Sequence, residues 1–150
     1  SGAILVAGDM TETKDSNSDT STADDEGVFV VKFEVTAFES DLFITKSAAV
    51  GTSTANGVNY RITTGSGTVL AGAGTTTASL SSTADTESGQ YKVSEGETET
   101  FTLTVTHDPA TTGFFGVMLH SLNFKSVAGA PNVFQRALPS EDYETDPLSI

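Results

Sequence analysis

Val28-Phe29-Val30-Val31-Lys32-Phe33-Glu34-Val35-Thr36-Ala37-Phe38 is the stretch that decides the fold. Phe29, Val31, Phe33 and Val35 fall on one side of an extended chain, and Lys32, Glu34 and Thr36 on the other. Successive side chains of a strand point to opposite faces, so this period of two marks a strand with one face buried. Residues 99–107 repeat the pattern, with Phe101, Leu103 and Val105 set against Thr100, Thr102, Thr104 and Thr106. Two strands with bulky residues on a single face need a second layer to cover them.

Further strand candidates lie at 42–46, 58–64, 68–72, 91–93, 114–124 and 133–138. Turn signals separate them: Asn56-Gly57, Gly65-Ser66-Gly67, Ser88-Gly89 and Glu95-Gly96. No window sustains an apolar period of 3.6, and β-branched residues dominate. The pattern predicts an all-β chain, an Ig-like antiparallel β-sandwich of about 7–9 strands with an extended N-terminal arm. Threonine on the outer face suits such a sheet, because it favours strands and keeps them hydrated without charge.

The 150 residues include 20 acids against 7 Lys and Arg, a net charge of −13, and no cysteine or tryptophan. Such a chain has no basic patch with which to displace the counterions of nucleic acid. It has no thiolate chemistry and no disulfide framework. The longest apolar run, Ala3–Ala7, is far short of the roughly 20 residues that cross a bilayer, so no membrane insertion is expected. That run also lacks a preceding basic segment, so it is no signal peptide, and an exported chain would already have lost its signal. Most of the charge sits in the flanks: residues 1–26 and 139–150 are strongly acidic, while the body between them is close to neutral. The expected organisation is an arm at 1–10, an acidic linker at 11–27, a sandwich at 28–138 and an acidic tail at 139–150.

Residues 27–38 with Leu42-Phe43-Ile44, and residues 94–106 with Gly113-Phe114-Phe115-Gly116-Val117, resemble Ig-like β-sandwich modules of secreted bacterial surface proteins. The arm-plus-sandwich layout is similar to that of donor-strand-assembled pilin or matrix-fibre subunits. The resemblance implies a secreted or cell-surface structural role and carries over no active-site residue.

The residues offer little for catalysis, and no enzyme activity is expected. His107 stands beside the turn Asp108-Pro109, where an exposed histidine is commonplace, and His120 sits within a strand. No nucleophile motif accompanies either. Glu95, Glu97 and Glu99 would share one solvated face, with no tryptophan platform for a sugar. Gly65-Ser66-Gly67 and Gly72-Ala73-Gly74 lack the lysine and helix of a phosphate loop. A Lys32–Asn132 isopeptide bond would need a buried lysine, whereas Lys32 falls opposite the phenylalanines.

Two segments carry the functional expectations. Asp15, Asn17, Asp19, Ser21 and Glu26 occupy positions 1, 3, 5, 7 and 12 of a calcium-loop template, with Thr20 where the template has glycine. No cofactor is required, and calcium enters as an optional ligand. Ala3, Ile4, Leu5, Val6 and Ala7 form the candidate donor strand. The run either folds back as the first strand of its own sandwich or completes the sandwich of a neighbouring copy, giving a head-to-tail homopolymer. The polymer is the preferred expectation, and a monomeric surface spacer or binding module the alternative.

Overall fold

The computed structural model describes residues 2–15, 26–51, 53–64, 69–70, 74–129, 134–137 and 140–150. The fold is all-β. The strands are β1 (Gly2–Asp15), β2 (Glu26–Phe38), β3 (Leu42–Thr45), β4 (Ala48–Val50), β5 (Val58–Thr64), β6 (Val69–Leu70) and β7 (Gly74–Ser82). They continue with β8 (Asp85–Glu87), β9 (Gln90–Val93), β10 (Thr98–Pro109), β11 (Phe114–Phe124), β12 (Phe134–Ala137) and β13 (Leu148–Ser149). The one helical element among the described residues is a 3₁₀ turn, Ser140–Tyr143.

One sheet has the order β1-β2-β10-β7 and is antiparallel throughout. A second has the order β12-β11-β5-β4, with β13 beside β11 and β6 beside β5; only β4 runs parallel to its neighbour. A small third sheet, β3-β9-β8, is tied to the others through β3 and through the turn that follows β9. Phe43 and Lys125 exchange backbone hydrogen bonds of 2.8 and 3.0 Å, and the Gly96 amide donates to the Ala37 carbonyl at 2.9 Å.

The alternation of the opening stretch governs the packing. Phe29, Val31, Phe33 and Val35 of β2 and Phe101, Leu103 and Val105 of β10 are fully buried. They share one core with Val58 and Ile62 of β5 and Val117, Leu119 and Leu122 of β11, which makes the architecture sandwich-like. Phe33 and Phe101 are direct cross-strand partners and stack with centroids 5.6 Å apart at 18°. Tyr91 of β9 meets Phe101 edge-on at 5.6 Å, and its hydroxyl donates to the Leu80 carbonyl at 3.0 Å. Such aromatic pairs add about 0.5–1.5 kcal/mol beyond the area they bury. On the other face Lys32 and Glu34 are exposed.

The C-terminal segment, expected as a solvated acidic tail, is built into the second layer. Residues 144–150 run antiparallel along the first half of β11. The Gly113 and Ile150 backbones exchange two hydrogen bonds of 2.9 Å, and Thr145 bonds Val117 through both its amide and its hydroxyl. Tyr143, Thr145 and Ile150 are buried between exposed or half-exposed acids. Local alternation outweighs net charge here, because the acids point outward while the segment's few apolar groups reach the core. Ile150 packs over Gly27, where any Cβ would stand 2.8 Å from both its Cδ1 and the Phe29 ring.

Phe101→Ala is expected to lower the unfolding free energy by about 3–5 kcal/mol in urea denaturation. Thr102→Ala, one residue along on the outer face, should change it by no more than about 0.5 kcal/mol. Equal losses at the two positions would contradict this assignment of faces.

Candidate assembly site

The five residues expected to form a donor strand lie at the start of β1, on an edge of the four-stranded sheet. They pair in cis with the end of β2: Ala3 opposite Ala37, Ile4 opposite Thr36, Leu5 opposite Val35, Val6 opposite Glu34 and Ala7 opposite Phe33. Ala3 is buried, and Leu5 and Ala7 pack partly buried against the core. Ile4 and Val6 point the other way and are 51% and 55% exposed, beside Phe38 at 54%. The run is thus apolar on both faces, although its own chain covers only one.

The strand continues past the expected arm boundary at residue 10 and through the first part of the expected linker. After a register shift between Ala7 and Met10, pairing resumes from Met10–Val31 to Asp15–Glu26. Gly8 lies close to β2 at the break: a Cβ there would approach the Lys32 carbonyl oxygen to 3.0 Å. Bulges offset the alternation and bend the strand. The offset turns Met10 toward the core, where it packs partly buried. Glu12 belongs to the site but was read as linker, and Gly8, Met10 and Phe38 were in the segments named without a role at the site. The bulge interrupts the period of two, and Phe38 reads as the last residue of a core strand.

β1 also touches β13 and the 3₁₀ turn of the facing layer. Glu12 reaches Asp146 there. Burial first, then the Asp146 charge, raise the Glu12 pKa above its usual value, while a hydrogen bond from the Asp146 amide opposes the rise. The seam between β1 and the C-terminal segment therefore brings two carboxyl groups together.

Of the calcium template, Asp15 and Glu26 form the last register pair of the β1–β2 hairpin. Asn17, Asp19 and Ser21 lie outside the described residues, as does Asn132 of the isopeptide pair, while Lys32 is exposed. Among the described residues no group of three or more His, Asp or Glu could hold a metal ion, and no helix is long and apolar enough to cross a membrane.

The histidines differ from expectation in one respect. His107, expected at an exposed turn, is inside: β10 runs on to Pro109, and the ring is 2% exposed against Phe115, with centroids 5.1 Å apart. Neither ring nitrogen has a hydrogen-bond partner among the described residues. Burial lowers the His107 pKa, partly offset by the charge of Asp108. His120 is half-buried, and its pKa is lowered by burial and then by Arg61. Among the described residues neither is hydrogen-bonded to a serine or threonine hydroxyl.

No family model, curated protein or solved structure matches the chain.

Two titrations follow. Neutral His107 is favoured by folding, so its contribution is lost as pH falls below its unfolded pKa of roughly 6.5. Thermal melts should drop between roughly pH 7 and pH 5, and His107→Leu should flatten that slope. Glu12 has the opposite sign: a raised pKa favours the protonated folded state, so its contribution fades as pH rises. Glu12→Gln should raise the melting temperature at neutral pH, with the gain vanishing near pH 4, about where the unfolded carboxyl protonates.

Proposed function

We propose that this chain is an extracellular structural protein, the subunit of a filament or surface array assembled by donation of β1 to a neighbouring copy. One observation carries the proposal: residues 3–7 form an edge strand that is apolar on both faces, with Ile4 and Val6 uncovered beside Phe38. A strand serving only its own half-buried sheet needs apolar residues on one face alone. Here the outer face is also furnished, which supports a partner beyond the chain.

Exchange is inexpensive in contacts, because a neighbour's β1 would meet the same edge of β2 in the same register as the cis strand. The Gly8 bulge would carry that register across. The ten residues between β1 and β2 span up to roughly 33 Å when extended, enough to reach an adjacent subunit. Against exchange stands the effective concentration of the tethered strand, in the mM range for short linkers. The trans form therefore needs an added contact. Ile4, Val6 and Phe38, each about half exposed, can supply it, at roughly half of the 1.5–3 kcal/mol that full burial of such a side chain gives.

The Ig-like description of the sandwich, the extracellular setting and the calcium template belong to this same proposal. Calcium at Asp15, Asn17, Asp19, Ser21 and Glu26 would gather the hairpin end as an optional reinforcement. A second reading, a monomeric surface spacer or binding module, is favoured by the cis pairing of β1 along nearly its whole length.

The test is sedimentation and negative-stain imaging of the full chain, with and without a chelator. Wild type is expected to form fibres at high concentration. The double variant Ile4→Asp, Val6→Asp should stay folded by circular dichroism and remain monomeric, because those side chains face away from its own core. Discrete wild-type particles at every concentration, or fibres unaffected by the double variant, would favour the monomeric module.

A further inference from the structure

The molecule's other sheet edges show what a protected edge looks like. β4 and β8 are three residues long, and β8 carries Asp85 and Glu87. β12 has four residues, with Arg136 among them. The C-terminal segment is broken by a 3₁₀ turn and bears Glu144 and Asp146. β1 has its bulge, carries Asp9 and Glu12, and lies against the facing layer. Short length, charge, bulges and cover are the devices by which sheets avoid pairing with other chains.

β7 has neither short length, charge nor a bulge, and among the described residues its cover is the approach of β4 alone. It is nine residues long, pairs with β10 without a register shift, and contains no charge and no proline. It lies in the longest uncharged stretch of the chain, from Ile62 to Ala84, in a protein of net charge −13. Thr75, Thr77, Ser79 and Ser81 are exposed on its outer face. Among the described residues no strand pairs with its second edge; β4 lies near it in the facing layer, and no ladder joins the two.

We propose that β7 is a lateral self-association edge, pairing antiparallel with β7 of a second copy across a two-fold axis. The occupant follows from charge and symmetry. Two copies of so acidic a chain repel each other, and contact is least opposed where the charge is absent. Identical strands related by a two-fold axis are antiparallel, the direction that continues the alternation of the sheet. Overlap of the full strand places Ala78 on the axis. Thr77 then faces Ser79, and Thr75 faces Ser81, so hydroxyl side chains meet across the outer face. Inside, Ala78 meets Ala78 and Thr76 meets Leu80. No position opposes like charges, and threonine and serine pairs are favourable across strands.

One such edge buries less than the roughly 800 Å² per partner of a stable interface. A single contact is therefore transient, and it becomes lasting when many copies are arrayed and the contacts add. The contact does not depend on whether β1 is donated.

The chain has no cysteine, so single cysteines report cleanly. Purified full-length Thr77→Cys and Ser79→Cys proteins, mixed and oxidised at high concentration, should give several-fold more mixed disulfide than Thr77→Cys with Thr75→Cys. Thr75→Cys with Ser81→Cys should repeat the enrichment. Adding Ala78→Lys, which brings two cations together on the axis, should abolish it, and so should the surface change Ser81→Lys in the Thr77–Ser79 pair. Equal yields for all combinations, or yields unmoved by both lysines, would overturn the proposal. So would preferential cross-linking of Ser79→Cys to Ile4→Cys, which would mean that β7 receives β1 instead.

Discussion

The contact between Phe33 of β2 and Phe101 of β10 is the constraint on which the other elements depend. It joins the two central strands of the four-stranded sheet and fixes which faces point inward. A one-residue slip of β10 along β2 would turn Phe101, Leu103 and Val105 to solvent and bring its threonines into the core. Tyr91 closes the same cluster from the third sheet, and its hydroxyl ties that sheet to β7. With the inner face committed, β5 and β11 have one surface on which to bury Val58, Ile62, Val117 and Leu119.

Central strands commit the fold, and edges decide what it can do. β1 and β7 lie on opposite sides of the same sheet, two strands apart through β2 and β10. They differ in physical character: β1 is apolar on both faces near its start, while β7 is polar and uncharged. An apolar edge favours replacement of a strand by an equivalent one, since little else covers Ile4 and Val6. A neutral hydroxyl edge favours weak addition that keeps water nearby. Taken together, the two proposals describe a subunit that would join end to end by one edge and side to side by the other.

Legibility in the sequence followed the size of the apolar residues. β2, β5 and β10 were readable because large apolar residues recur at every second position, and β11 because it is rich in them on both sides of its register shift. β7 was not, since its inward residues are Thr76, Ala78 and Leu80, and small residues leave no clear period. The Gly8 bulge concealed the second half of β1. The C-terminal segment was read by charge, yet Tyr143, Thr145 and Ile150 sit among its acids and find the core. The candidate assembly residues were named from apolarity alone. Which of them face inward emerged only from their pairing with β2.

By itself the sequence determined an all-β chain, the inward faces of its two central strands, the outward placement of Lys32 and the threonine surface. These are local properties, set by a period of two that each strand carries within itself. Tertiary structure alone decided that β1 folds back in cis, that His107 is enclosed, that the acidic C-terminal segment is packed, and that no other described strand pairs with the second edge of β7. Each of these depends on what a distant part of the chain covers, and burial by a remote neighbour leaves no periodic trace in the residues being covered.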